Sequence, residues 1–276
     1  MDTVLVPVSE IGWRAHAAIQ RAGGRARRLA ALSESAYLTA ADEIVWLGRA
    51  DSTLHARAML TAAPPSESAD FRLDASGARV WRPPEPIITA DSPAAIVAGC
   101  RTLGDAVTAL GEPDGFGALL AARTPSFPLD RAVDAARELA RACAADDART
   151  AAAAAEPLIG LGPGLTPAGD DYVGAAFFAR ALLHRAGAGE PDGWDRARAD
   201  VSARARERTH PISAALLADL LSGQAHAPLH ELACALAAQA PFPCVLAAAR
   251  RLTRIGHSSG WDMLAGFVGG VLGACG

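Results

Sequence analysis

The cluster Pro83-Pro84-Glu85-Pro86 does most to limit the folds open to this chain, because neither a helix nor an interior strand can run through it. Before it, Thr3-Val-Leu-Val-Pro-Val8, Glu43-Ile-Val-Trp-Leu47 and Ala78-Arg-Val-Trp-Arg82 are short runs rich in β-branched and aromatic residues, and they read as strands. Pro64-Pro65-Ser66 interrupts this part. After the cluster the punctuation becomes helical. Asp91-Ser92-Pro93 predicts a helix start, with Ser92 as N-cap and Pro93 at the first helical position, in a run to Leu110 that ends at Gly111. A second helix is expected from about Leu129 to Ala145. Others are expected near 195–207, 211–222, 228–239, 242–254 and 260–274, and Leu216, Leu217, Leu220 and Leu221 repeat with a helical period. The expected fold is α+β, with a small β-rich N-terminal domain over residues 1–90 and a mainly α-helical body over residues 91–276 that carries the glycine-rich motifs.

Composition narrows the class of function. With 51% apolar residues in 276, the chain can bury a sizeable core and is not disordered, and only 5% aromatic content favours helices built from alanine and leucine. The net charge is -4 and no basic stripe is interleaved with aromatics, so nucleic acid is a poor partner. The densest positive run, Arg21 to Arg28, reads as a solvated loop or helix end. Every basic residue is arginine, which excludes a lysine nucleophile or Schiff base. Cys100, Cys143, Cys234, Cys244 and Cys275 form no CxxC pair, which suits a reducing compartment better than disulfides or a zinc site. Residues 1–10 lack the pattern of a signal peptide, and no segment reaches about 18 uninterrupted apolar residues. A soluble cytoplasmic protein without a membrane partner is expected.

The chemistry concentrates in Leu158-Ile-Gly-Leu-Gly-Pro-Gly-Leu-Thr-Pro-Ala-Gly-Asp-Asp171. Gly160, Gly162 and Gly164 permit backbone turns and close approaches that side chains would block. Thr166 is expected as N-cap and Pro167 at the first helical position, with Gly169, Asp170 and Asp171 in the first turn. A helix start offers N–H groups and partial positive charge, so this one suits a phosphate or carboxylate. The aspartates are compatible with Mg²⁺, with a substrate amide, or with capping alone. The terminal Lys-Ser/Thr of a Walker A loop is missing, and the stretch is not a GxGxxG turn.

A second stretch repeats this layout. Setting Thr166-Pro-Ala-Gly-Asp-Asp171 over His257-Ser-Ser-Gly-Trp-Asp262 aligns Gly169 with Gly260 and Asp171 with Asp262. We expect two helices that start side by side, with their N-termini converging on one pocket. Ser258 and Ser259 would line it and His257 would serve as acid or base. Gly266, Gly269, Gly270 and Gly273 suit a close helix contact, in a core or in an interface. Thr209-His-Pro-Ile-Ser213 is a third polar helix start, in which Thr209 reads as a cap. His55 and Arg57 form a pair able to reach an anion from the N-terminal domain, although a solvated strand or turn face is the plainer reading. His16, His184, His226 and His230 lack metal spacing and are expected on the surface.

These motifs resemble the AllH-type subunit family of oxamate carbamoyltransferase from allantoin-degradation operons. The resemblance rests on residues 158–171, on Thr209 with Ile212-Ser213, and on Ile255-Gly-His-Ser-Ser-Gly260 with Asp262; around His55-Ala-Arg57 it is looser. Ala168, Tyr172 and Ser258 depart from the residues frequent in the family. The resemblance implies work on oxalurate and phosphate, or on oxamate and carbamoyl phosphate, together with other subunits. Helix termini and Arg57 would then bind phosphate, and Asp170 or Asp171 would hold the amide NH₂. Backbone N–H groups at Gly162 to Gly164 and Ser259-Gly260 would stabilise the tetrahedral oxyanion. The catalytic candidates are therefore Asp170, Asp171 and His257. The substrate-binding candidates are Gly162, Gly164, Thr166, Gly169, Thr209, Ser213, Ser258, Ser259, Gly260, Asp262, His55 and Arg57. No cofactor is demanded, and Mg²⁺ stays open. Two alternatives remain: a Mg²⁺-dependent hydrolase using Asp170, Asp171 and Asp262, and a non-catalytic anion-binding or assembly subunit.

Overall fold

The computed structural model describes residues 4–62 and 70–273, so Pro64, Pro65, Ser66, Cys275 and the first residue of the Thr3–Val8 run lie outside the described residues. The fold is α+β, a strand-rich sheet followed by a helical body. Contacts divide it into two compact units. One comprises the chain up to Pro83 with Ala225–Ala227, and the other comprises Pro84–Gln224 with the chain from Pro228.

In the first unit the strands are β1 (Val4–Pro7), β2 (Glu10–Gly12), β3 (Arg25–Ala31), β4 (Ala36–Ala40), β5 (Glu43–Arg49), β6 (Ala58–Thr61), β7 (Asp70–Asp74) and β8 (Arg79–Trp81). They form one mixed sheet in the order β1-β7-β3-β4-β5-β6-β2-β8. A helix absent from the sequence reading, α1 (Trp13–Arg21), buries Ala15, Ala18 and Ile19, a one-face stripe, in a core with Ile11, Leu38, Leu47 and Met59. Several strands also escaped that reading. β4 and β5 pair with Ala40 opposite Glu43, so only Ala41 and Asp42 form the turn, at φ +46° and +64°. Tight hairpins of that kind usually carry Asn-Gly or Asp-Gly, and Ala-Asp hides the signal. The arginine run is likewise more than a loop: Arg21 ends α1 and Arg25, Arg27 and Arg28 lie in β3.

The second unit holds α2 (Ser92–Asp105), α3 (Val133–Ala144), α4 (Ala148–Ala155), α5 (Ala168–Arg185), α6 (Trp194–Arg208), α7 (Pro211–Leu221), α8 (Ala227–Ala237), α9 (Phe242–Leu252) and α10 (Ser259–Leu272), α8 beginning where the chain passes between units. Short 3₁₀ turns cover Val107–Leu110, Gly115–Ala121 and Leu129–Ala132. Ser92 is not the N-cap expected: Asp91 holds that place, and the buried Ser92 hydroxyl accepts from Thr89 N–H at 2.9 Å and donates to Ala237 O at 2.8 Å. α4 was missed because its alanines carry no apolar period, although Asp147 caps Thr150 N–H at 3.0 Å.

Two central helices position the site. α5 and α10 are buried on nearly every face, the mark of an interior helix rather than an amphipathic one. They pack against each other through glycine. A Cβ at Gly266 would stand 2.1 Å from Tyr172 O, and one at Gly270 would stand 2.8 Å from Ala176 O. Gly266 and Gly270 therefore serve this core contact, while Gly269 and Gly273 face Ala140 and Ala144 of α3.

Candidate functional site: two paired helix starts

The start of α5 and the start of α10 are the same local structure built twice. In the first, Leu161 N–H donates to Leu158 O at 3.0 Å and Gly169 N–H donates to Leu161 O at 2.9 Å. In the second, Ile255 N–H donates to Leu252 O and Gly260 N–H donates to Ile255 O, both at 3.0 Å. In each, the glycine is the second residue of the helix and an aspartate, Asp171 or Asp262, is the fourth. The first loop is longer and takes positive φ at Gly160, Gly162 and Gly164, backbone that L side chains rarely adopt.

The helices start side by side, with Thr166 Oγ1 and Ser259 Oγ 3.4 Å apart. Thr166 lies one residue outside the cap position assigned to it. α5 begins at Ala168 and Pro167 is its N-cap residue, its carbonyl accepting from Asp170 N–H at 3.0 Å. Ser258 occupies the cap position of α10, but its side chain makes no cap hydrogen bond to the helix end.

The three aspartates have different fates. Asp170 is buried and saturated: Oδ1 accepts from Gly160 N–H at 2.8 Å, and Oδ2 accepts from the Thr209 hydroxyl and from the Ser213 hydroxyl at 2.6 Å. It clasps the glycine loop to the start of α7. Thr209 is thus not the cap of α7. It ends α6, and His210 Nδ1 takes the cap by accepting from Ile212 N–H at 3.2 Å.

Asp171 and Asp262 are buried but unsaturated. Asp171 lies beside Ser259, and Asp262 Oδ1 accepts from Phe116 N–H at 2.7 Å. Oδ2 of each is sealed from solvent and has no hydrogen-bond partner. Burial, then the Asp262 charge, holds the Asp171 carboxyl well above the ordinary carboxylate range. Burial pushes the Asp262 carboxyl up to about 7, against the lowering effects of Phe116 and Ser258. Residues that the sequence reading missed seat Asp262: Gly115, at φ +54°, lets the backbone cross so close that a Cβ would stand 2.2 Å from Asp262 Oδ1. The dipeptide Asp114-Gly115 was the available signal, as a turn former.

The remaining candidates fall elsewhere. The His257 side chain is 98% exposed and lies 3.4 Å from Asp114 Oδ2, outside the buried carboxylate pair. His55 and Arg57 belong to the strand-rich unit and are buried, not solvated. Arg57 Nη1 donates to Glu43 Oε2 at 2.8 Å and to Ile44 O at 3.1 Å, and the His55 ring lies 4.7 Å from that of His226 and 5.7 Å from that of Trp46. Burial, His226 and Arg57 hold His55 well below its ordinary value, and burial brings His226 to about 4. The expectation of surface histidines fails as well for His184, bound to Asp146 Oδ1 at 2.8 Å, and for His230, packed on Phe178. A cavity of about 730 Å³ in the strand-rich unit, lined by Leu5, His16, Gln20, Arg72 and Ser76, contains none of the candidates.

Among the described residues no group of three or more His, Cys, Asp or Glu is placed to hold a metal ion. That removes the three-aspartate arrangement on which the hydrolase alternative depended. No described helix is long and apolar enough to cross a membrane. Residues 158–271 match the family model described as oxamate carbamoyltransferase subunit AllH, a span that contains both helix starts. No curated protein and no solved structure matches the chain.

Proposed function

We propose, from the match of residues 158–271 to a family named for a subunit of oxamate carbamoyltransferase, that this chain is a carbamoyltransferase subunit. Its reaction would be carbamoyl transfer between phosphate and oxamate, in a protein acting with other subunits. The observation that carries the reading is the coincidence of the matched span with the duplicated helix start. Two adjacent helix N-termini favour an anion of the phosphate or carboxylate class once the Asp171 and Asp262 carboxyls in their first turns are protonated or paired with a cation. The hydroxyls of Thr166 and Ser259 lie together at that place and suit hydrogen bonding to its oxygens.

Carbamoyl transfer requires attack on the carbamoyl carbon, development of negative charge on its oxygen, and departure of the phosphate or carboxamide. Backbone N–H groups at Gly162, Gly164 and Ser259 are assigned to the developing oxyanion, since Pro163 has no N–H and Gly260 N–H is held by Ile255 O, with a contribution of roughly 3–4 kcal/mol per well-aimed donor. Asp170 is assigned a positioning role, because both its oxygens are engaged, by Gly160, Thr209 and Ser213. His257 stands in solvent and receives no catalytic role in this chain by itself.

The test is turnover of carbamoyl phosphate with oxamate by the purified chain, alone and reconstituted with its partner subunits. Turnover in either format is expected, and none in both overturns the reading. A second reading, an anion-binding subunit without its own chemistry, draws support from the sealed state of the Asp171 and Asp262 oxygens. It predicts that phosphate or carbamoyl phosphate raises Tm, as native-state ligands do, with no turnover in either format.

A further inference from the structure

We propose that Asp171 and Asp262 together hold a small hard metal cation, of the Mg²⁺ or Mn²⁺ class, between the starts of α5 and α10. The inference begins from hydrogen-bond accounting. Buried polar atoms are nearly always partnered, so each orphan needs an explanation. Here two orphans occur together: Asp171 Oδ2 and Asp262 Oδ2, from the equivalent fourth residue of adjacent helices, in side chains 6% and 0% exposed.

Charge points the same way. The charged neighbours that bear on the pair are further carboxylates, Asp170 and Asp114. Two helix ends supply about half a positive charge each, which offsets roughly one of the two negative charges and leaves the other uncompensated in a dry interior. An occupant that answers both orphans at once must be cationic, must accept oxygen ligands on two sides, and must fit where water does not reach. A single proton shared between the two oxygens would pair them with each other and leave the surrounding hydroxyls unused, and this is the occupant that the titration below separates from a metal. A metal ion bound by the two carboxylates engages both, and the neighbouring hydroxyls of Thr166, Ser258 and Ser259 offer further hard oxygen, the donor type that Mg²⁺ and Mn²⁺ prefer. Once a divalent ion is bound, the local charge becomes positive and draws an anion toward the helix starts. That last consequence rests on the proposed function; the cation site does not.

The experiment uses the full chain freed of metal by chelation and follows free Mn²⁺ by electron paramagnetic resonance during titration. One Mn²⁺ per chain is expected, displaced by Mg²⁺, with Asp171→Asn and Asp262→Asn each weakening it by at least about tenfold. Asp114→Asn, which removes a nearby charge and no ligand, keeps the stoichiometry. Circular dichroism establishes that each variant is folded, and Mn²⁺ raises Tm of the unmodified chain but not of Asp262→Asn. Should either Asn variant fail to fold, the unmodified chain against Asp114→Asn still decides stoichiometric binding. Absence of stoichiometric Mn²⁺ on the folded chain overturns the proposal, as does equal binding by the folded Asn variants; a pair that holds only a proton gives the first of these results. Because the readout is metal binding, failure of turnover leaves it standing.

Discussion

Gly169 and Gly260 meet the same obstacle at the same place: a Cβ on Gly169 would stand 1.9 Å from Leu158 O, and a Cβ on Gly260 would stand 1.9 Å from Leu252 O. In both cases the obstacle is backbone, and that backbone carries the turn from which the helix springs. The duplication of the site is therefore enforced by packing, and it can be tested by packing.

Gly169→Ala and Gly260→Ala each push a helix start off its own loop, and each is expected to cost about 3 kcal/mol or more. Gly104→Ala is the comparison, since nothing lies within 4 Å of its Cβ position. It replaces the penultimate residue of α2 and is expected to be neutral or to stabilise by at most about 0.5–1 kcal/mol. Urea denaturation of the three variants checks the contrast, and similar effects at 104 and 169 would contradict the packing account.

At Asp170 the expected order of damage is Ala well above Asn. Alanine strands one backbone donor and two hydroxyls, whereas an asparagine oxygen still accepts from Gly160 N–H and its amide can donate to hydroxyl oxygens. Thr209→Val and Ser213→Ala each remove one bond to a charged group and should cost about 1.5–3 kcal/mol. Equal stability of Asp170→Ala and Asp170→Asn would show that the clasp is not formed.

The two units should respond to acid with opposite signs. In metal-free protein Asp262 has a folded-state pKa of about 7 against 3.8, so between these values the folded state binds more protons and the helical unit gains stability as pH falls. His226 has a folded-state pKa of about 4 against 6.5, so the unfolded state binds more protons and the strand-rich unit loses stability as pH falls through that window. Asp262→Asn removes the Asp262 share of the first dependence, leaving that of Asp171, and stabilises the metal-free helical unit at pH 7.5 by between about 1 and 4 kcal/mol. Hydrogen exchange corrected for intrinsic rates, read separately for peptides of each unit at pH 5 and pH 7.5, measures both signs.

Asp146 gathers the 186–194 segment, accepting from Glu190 N–H at 2.7 Å, Trp194 Nε1 at 2.9 Å and His184 Nε2 at 2.8 Å. Asp146→Ala should expose that segment to proteolysis and lower stability by about 2–4 kcal/mol. Asp146→Asn tolerates the left-handed backbone at this position, φ +60°, and should be milder. An unchanged cleavage rate in the alanine variant would refute the assignment.

Local signals carried much of this architecture in the sequence itself. Helices α6 to α10 were legible to within a residue or two because glycine and proline stop and start helices by local backbone sterics, whatever surrounds them. The kinship of Gly169 with Gly260 and of Asp171 with Asp262 was legible for the same reason, since a glycine turn entering a helix is a short-range event. β3, β4 and α1 were not legible: their alanine and arginine positions acquire an inside and an outside only when the sheet assembles. Nor could neighbouring positions tell Asp170 from Asp171, two identical side chains one peptide apart. Helical geometry turns successive residues by about 100°, so one carboxylate meets Thr209 and Ser213 and is saturated, while the next meets Asp262 and is left with an oxygen to fill. That difference exists only once α7 and α10 are packed against α5, because it depends on which distant groups share the buried space.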